Sequence, residues 1–321
     1  MKAIFRDAYG SADILGLREV DKPVPKDDQL LLKVHAASVN PLDWHALRGE
    51  PFLVRLMGFG LMKPKHQILG ADMAGRVEAV GKDVTRFKVG DEVFGSSLGG
   101  FAEYARIRES QVALKPATMT CEQAAAVPVA SLTALQALRN QGQLQDGQHV
   151  LINGASGGVG TFAVQIAKAL GAHVTGVCSG KNVEMVRSIG ADEVIDYTKE
   201  DFWLAGKQYD LIVDNAAFQS IHKPLRVLKP GGTYVGVGGT SSSLSVLMSL
   251  ILNPLIAKMK GRQVRSFMSN INQADLGFMS ELLEGGKVVP VIDRKYSLEE
   301  TPQAIRYVEE GHARGKVVIT I

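Results

Sequence analysis

Leu151-Ile152-Asn153-Gly154-Ala155-Ser156-Gly157-Gly158-Val159-Gly160 is the stretch on which the reading of this chain turns. An apolar strand, His149 to Asn153, runs into it, and a helical run from Gly158 to Leu170 leaves it. A glycine turn between strand and helix lets backbone N–H groups at the helix start face phosphate oxygens. Against the dinucleotide fingerprint, Ala155, Gly157 and Gly160 hold the three glycine positions, with Ala replacing the first. Gly157 lets the backbone approach a pyrophosphate, Gly158 and Val159 open the helix beside it, and Gly160 lets the helix pack on the strand. The same residues spell G-x-S-x-G around Ser156, a hydrolase nucleophile elbow, and Asp293 and His312 come later in the chain order of a triad. An elbow explains neither Gly160 nor the residues at the end of the next strand.

That next strand ends in Val177-Cys178-Ser179-Gly180-Lys181-Asn182. An NAD-selective site carries an acidic residue near the end of this strand for the ribose hydroxyls. Here Ser179 and Lys181 stand instead, a hydroxyl and a cation that suit a 2′-phosphate. A helix-capping serine beside an exposed lysine is the plain alternative, and one position can do both. NADPH is the expected cofactor.

Outward from the turn, strands at His173–Cys178, Glu193–Asp196, Leu211–Asp214 and Thr233–Val237 alternate with amphipathic helices. Near-continuous apolar strands in that alternation read as a parallel sheet covered on both faces. Before about residue 120 the texture is different: Gln29–Val34, Ala74–Val80 and Glu92–Phe94 are short β-like runs between glycines and prolines, as in a β-rich barrel-like domain. Cys121 to Gln141 is Ala- and Leu-rich with helix propensity, interrupted by Pro128. The final strand, from Lys316 to Ile321, is expected to return to the first domain.

Bulk properties exclude several classes. A chain of 321 residues, 45% hydrophobic and 21% charged, has globular composition and suits two domains rather than a fibre, a coiled coil or a disordered tail. Two cysteines cannot build a disulfide framework or a four-cysteine zinc lobe. A net charge of +3 is too small to point to nucleic acid. Charges within Met1–Asp7 rule against a secretory signal. The longest near-apolar run, Leu244 to Ala257, falls short of the roughly 20 residues of a membrane helix. The default compartment is cytoplasmic.

Further motifs are Ser38-Val39-Asn40-Pro41-Leu42-Asp43, Leu69-Gly70-Ala71-Asp72-Met73-Ala74-Gly75, Val89–Gly95 and Gly99–Tyr104. Together with the Ala-Ser-Gly-Gly-Val-Gly turn at 155–160, they resemble the medium-chain dehydrogenase/reductase superfamily, in its zinc-free quinone oxidoreductase and enone reductase branch. The resemblance implies an α/β architecture: a GroES-like catalytic domain over 1–121 and 265–321, and a doubly wound Rossmann domain over 122–264. The zinc ligands of related alcohol dehydrogenases fall here on Asn40, Ala71 and Val129, which offer neither thiolate nor imidazole. No metal site is expected, and His35, His45 and His66 read as structural histidines.

The resemblance further implies Asn40 beside the nicotinamide and substrate, Thr133 at the nicotinamide end, and Gly157, Gly158 and Val159 on the diphosphate. Ser179, Lys181, Asn182 and Tyr197 would surround the adenosine phosphate. Val237, Gly238, Gly239, Phe267, Gly315 and Lys316 would close over the nicotinamide ribose and ring. Leu42 and Trp44 would line the acceptor pocket, with core packing as the alternative for these apolar residues. The implied activity is NADPH-dependent, zinc-independent reduction of a small lipophilic quinone or enone. A zinc-free alcohol dehydrogenase and a non-catalytic NADPH-binding protein stay open beside it. A homodimer paired through the strand at Thr233–Val237 is expected. The apolar segments 51–65 and 244–257 leave room for a lid or a weak membrane-surface contact.

Overall fold

The computed structural model describes residues 1–204, 206–216, 221–237 and 253–321. Gly238, Gly239 and most of the apolar run from 244 lie outside the described residues. The strands are β1 (Lys2–Phe5), β2 (Gly16–Glu19), β3 (Gln29–Val39), β4 (Asp72–Val80), β5 (Glu92–Ser96), β6 (Tyr104–Arg108) and β7 (Val112–Leu114). Next come β8 (His149–Asn153), β9 (His173–Cys178), β10 (Glu193–Asp196), β11 (Tyr209–Asp214), β12 (Leu228–Gly236) and β13 (Gln263–Ser266). β14 (Ile292–Ser297) and β15 (Lys316–Thr320) end the series. The helices used below are α1 (Pro41–Arg48), α2 (Cys121–Ala125), α3 (Pro128–Leu135), α4 (Gly158–Ala169) and α5 (Val183–Ser188).

The chain divides into two compact units. Unit 1 comprises Met1–Leu132, Ile271–Gly285 and Pro290–Ile321; unit 2 comprises Thr133–Asn270 and Gly286–Val289. In unit 1 a seven-stranded sheet runs β14-β15-β3-β4-β5-β7, with β6 also on β3. The last strand does enter this sheet: β15 pairs antiparallel with β3, Val317 opposite Val39, and parallel with β14. β3 is buried on both faces along most of its length. One core gathers Ile4, Ala37, Val39, Leu47, Phe101, Ile305, Val317 and Ile319, and another Leu30, Leu32, Val34, Met73, Val93 and Ile107. The β3–β4 register shifts between Val34 and Ala36, so His35 sits at a bulge.

Unit 2 holds six parallel strands in the order β10-β9-β8-β11-β12-β13, the strand order 3-2-1-4-5-6 of a doubly wound dinucleotide fold. The order reverses between β8 and β11, where ligands bind beyond the carboxyl ends of such sheets. Asn153 and Asp214 end those two strands and are joined, Asn153 Nδ2 donating to Asp214 Oδ1 at 2.9 Å. The Tyr234 hydroxyl donates to the other Asp214 oxygen at 2.7 Å.

Several local expectations shift. The strand expected at Thr233–Val237 begins at Leu228, and β13 covers it on the outer side, so β13 takes the sheet edge. The helical run 121–141 breaks at Pro128, which cannot donate its N–H and opens α3. In the 51–65 segment Phe59 is buried in the unit 1 core, whereas Phe52, Leu53, Leu56, Met57, Leu61 and Met62 are exposed. Among the described residues no helix is long and apolar enough to cross a membrane.

Candidate active and dinucleotide-binding sites

In unit 1 the first site grows from the end of β3. Pro41 sits at the first turn of α1, where its fixed φ and missing N–H cost nothing, so Asn40 becomes the N-cap. The Asn40 backbone N–H is accepted by Asp43 Oδ2 at 2.8 Å, which leaves the Asn40 carboxamide for other work. That carboxamide is clamped at both ends. Its Nδ2 donates to Asp72 Oδ2 at 2.9 Å, and its Oδ1 accepts from the Lys316 ammonium at 2.6 Å. An ammonium can only donate and a carboxylate only accept, so the amide orientation is dictated by its neighbours.

Asp72 is the hub of this knot. Ser38 Oγ donates to its Oδ2 at 3.1 Å, the Val129 N–H to its Oδ1 at 3.0 Å, and Lys316 Nζ stands 3.5 Å away. Lys316 also reaches the Val39 carbonyl at 3.3 Å. Ser38, Asn40, Asp43, Asp72 and Lys316 are all buried. Burial pushes the Asp72 carboxyl up and the Lys316 ammonium down, and pairing at 3.5 Å opposes both without reversing either. Asp43 accepts a second backbone N–H, from Gly70, at 3.1 Å. Burial, then the nearby Asp72 charge, still raise its pKa from 3.8 to about 7.

The positions that would carry catalytic zinc do not fit that metal. Asn40 has its amide committed on both sides, and Ala71 and Val129 carry no ligand atom. Trp44 stacks on His45, centroids 3.5 Å apart, and packs against the core, while Leu42 is exposed. His45 Nδ1 lies 2.7 Å from the Glu50 carbonyl, in keeping with a structural role. The Lys316 ammonium turns into the knot, and Gly315 beside it is buried.

In unit 2 the second site is the turn before α4, capped by Gly157 with no side-chain cap bond. A Cβ on Gly160 would stand 2.0 Å from the Gly154 carbonyl oxygen, so only glycine lets the helix close on the turn. A Cβ on Gly157 would meet only Gly154 O, at 3.5 Å, an ordinary contact. Gly157 is thus not required by the protein's own packing, which fits a surface reserved for something outside the chain.

Asn182 ties the turn to the end of β9. Its Nδ2 donates to Ser156 Oγ at 3.0 Å and Ser179 Oγ at 3.2 Å. Its Oδ1 is buried without a partner among the described residues, an acceptor awaiting a donor. Ser156 is engaged by this amide, and Asp293 accepts from the Tyr307 hydroxyl and the Arg314 N–H, so both are occupied outside any triad. Lys181 is exposed, and Tyr197 comes directly after β10 with its N–H on the Cys178 carbonyl at 3.1 Å. Tyr197 opens a depression of about 530 Å³, shared with Thr198, Lys199, Glu200, Asp201 and Leu204.

Val237 is buried, and Thr133 and Phe267 are half-buried in unit 2. Sequence reasoning missed one group here, Asp196. Its Oδ2 would meet a Cβ on Gly180 at 2.5 Å, which sets a carboxylate against the Ser179–Lys181 turn. The Thr198 hydroxyl and N–H hold Asp196 below the usual carboxylate range.

Comparisons with known proteins match both units. Residues 26–117 match the alcohol dehydrogenase GroES-like domain, and residues 189–319 match the family described as zinc-binding dehydrogenase. The chain is 35% identical to the mitochondrial NAD(P)H oxidoreductase RTN4IP1 of Bos taurus over 100% of this chain and 89% of that protein. It is 37% identical to the chloroplast envelope quinone oxidoreductase homolog of Arabidopsis thaliana, covering 99% of this chain and 98% of the relative. Among solved structures, the quinone oxidoreductase from Coxiella burnetii superposes with a TM-score of 0.89 at 32% identity, covering 100% of this chain and 99% of that one.

Proposed function

The chain belongs to the medium-chain dehydrogenase/reductase superfamily, in its quinone oxidoreductase branch, and from that footing we propose that it is a zinc-independent reductase of quinones or α,β-unsaturated carbonyls that uses NADPH. The observation that carries this reading is the carboxamide of Asn40 locked between Asp72 and Lys316 where a metal-dependent relative would place a thiolate.

A bound nicotinamide supplies the hydride. An electron-poor acceptor needs only a donor to the oxygen that gains charge, not a Lewis acid. Asn40 Nδ2 has a second N–H beyond the one given to Asp72, and we assign that N–H to the acceptor oxygen. Asp72 and Lys316 position it by fixing the plane of the amide. In unit 2 the α4 N-terminus would hold the diphosphate, Ser156 and Asn182 the shape of the turn, and Ser179 and Lys181 the 2′-phosphate. These residues fit a dinucleotide through the open face of Gly157 and the unpartnered Asn182 Oδ1.

The deciding experiment monitors NADPH absorbance loss against quinones, alkenals and enoyl thioesters, with and without a chelator. Chelator-resistant turnover with one of these classes supports the proposal. Alcohol-dependent NADP reduction would instead favour an alcohol dehydrogenase, and tight NADPH binding without turnover a non-catalytic role. Asp196 favours a second reading, NADH use, because a carboxylate against Gly180 suits free ribose hydroxyls. Comparing the two nucleotides decides it. We also propose a homodimer paired through the edge strand β13; a mass near 34.5 kDa by light scattering at micromolar concentration would refute it.

A further inference from the structure

His35, Glu92 and Cys121 are far apart in sequence and come from three elements of unit 1: the middle of β3, the first residue of β5 and the first residue of α2. One nitrogen, oxygen or sulfur atom from each lies within 4.8 Å of the other two. Cys121 Sγ is 3.7 Å from His35 Nδ1. Ligands about 2.0–2.3 Å from a tetrahedral zinc lie about 3.3–3.8 Å apart, so the trio needs little movement to close on an ion.

Two features show that the grouping is built. His35 sits at the β3–β4 bulge, a device that re-aims a side chain out of the regular alternation. Glu92 is oriented from behind: Lys115, its side chain 6% exposed, stands 3.1 Å from Glu92 Oε2. The Lys115 ammonium is itself anchored on the Met119 carbonyl at 2.7 Å and the Pro116 carbonyl at 3.3 Å. Lys115 is therefore held independently of Glu92, and a carboxylate paired through one oxygen keeps a second acceptor oxygen for a ligand bond.

We propose that His35, Glu92 and Cys121 form a binding site for one divalent zinc ion, separate from Asn40, Ala71 and Val129. A neutral imidazole, a thiolate and a carboxylate are the mixed donor set that a borderline-soft ion accepts, and water completes the tetrahedron. On binding, the S–H bond of Cys121 breaks, its proton leaves to solvent, and the sulfur keeps the electron pair and donates it to zinc. The ion then staples β3, β5 and α2 within unit 1. The site is not catalytic, and it replaces the purely structural role expected of His35.

Cobalt(II) titration of the metal-stripped, reduced full-length protein tests this without reference to turnover. One cobalt per chain should bind with an intense sulfur-to-cobalt charge-transfer band, and zinc should abolish that band. Cys121→Ser should remove it, while Cys178→Ser, which alters the other cysteine, should leave it intact. Glu92→Gln lies on an exposed side chain and should weaken cobalt by at least about a hundredfold, more than loss of an outer-shell partner. Wild type without a thiolate band, a band that survives Cys121→Ser, or unchanged affinity in Glu92→Gln overturns the proposal. Should Cys121→Ser fail to fold, Glu92→Gln decides alone.

Discussion

The two candidate sites solve their problems with opposite materials. In unit 1 the Asn40 amide is fixed by buried charged side chains drawn from positions 72 and 316, each costly to desolvate and useful only while paired. In unit 2 the turn at 154–160 works through backbone groups and the lack of side chains, with Gly160 excluded from any substitution by a 2.0 Å approach. A site made of charges should fail energetically when one partner is removed. A site made of backbone should fail sterically, or not at all.

The sharpest way to break this comparison is a pair of alanines. Gly160→Ala should abolish cooperative thermal unfolding of unit 2 or cost more than about 3 kcal/mol, because the Cβ strikes backbone rather than a movable side chain. Gly157→Ala should leave the melt within about 0.5 kcal/mol of wild type yet weaken NADPH by about tenfold or more. Wild-type NADPH affinity in Gly157→Ala would mean that the turn cradles no phosphate.

Lys316→Met tests the charged site. It strands the Asp72 carboxylate and the Asn40 oxygen in the interior, and urea unfolding should show a loss of about 3–5 kcal/mol. A loss under about 1 kcal/mol would show that the knot relaxes freely. On the unit 2 side, Lys181→Ala should raise the Michaelis constant for NADPH by about ten- to hundredfold and leave NADH nearly unchanged, since a charge-assisted contact is worth roughly 1.5–3 kcal/mol. Ser179→Asp should go further. Equal effects on both cofactors would remove these residues from phosphate recognition and bring Asp196 forward.

The smallest effect is one of pH. The Asp43 carboxyl titrates at about 7 in the folded chain against 3.8 as a free group, so the folded state holds its proton more tightly. The associated stability is present at low pH and is lost as pH rises towards 7, at no more than about 1.4 kcal/mol per pH unit. Asp43→Asn should flatten that slope in urea titrations at successive pH values. A wild-type stability that climbs over the same interval would contradict the burial of a protonated Asp43.

The same contrast governs what could be read from the chain. The phosphate turn was legible because its requirements are local: strand, small residues and helix succeed one another, and the parallel sheet announces itself by apolar periodicity. The knot was legible only in part. Ser38, Asn40 and Asp43 lie in one short motif, with Asp43 accepting the Asn40 N–H locally, but Asp72 meets them through β3–β4 pairing, the Val129 N–H through α3, and Lys316 through the return of the chain in β15, none of which a local pattern encodes. Asp196 escaped for a similar reason, since it reaches Gly180 across the β9–β10 pair rather than along the chain. The shift of the sheet edge to β13 reflects a short strand, Gln263–Ser266, with two buried or half-buried residues among four and little periodicity to detect.

The place of β15 has a consequence for how the molecule is made. It lies inside the unit 1 sheet, between β14 and β3, and carries Lys316. During synthesis, residues 133–270 emerge before that strand exists, so unit 2 can assemble while the unit 1 sheet still has an open slot along β3. Until residue 320 clears the ribosome, the Asp72 carboxylate waits without its ammonium and β3 offers an unpaired edge to any neighbouring nascent chain. A stop codon placed just before Lys316 should therefore remove a strand from inside the unit 1 sheet and produce aggregation-prone protein.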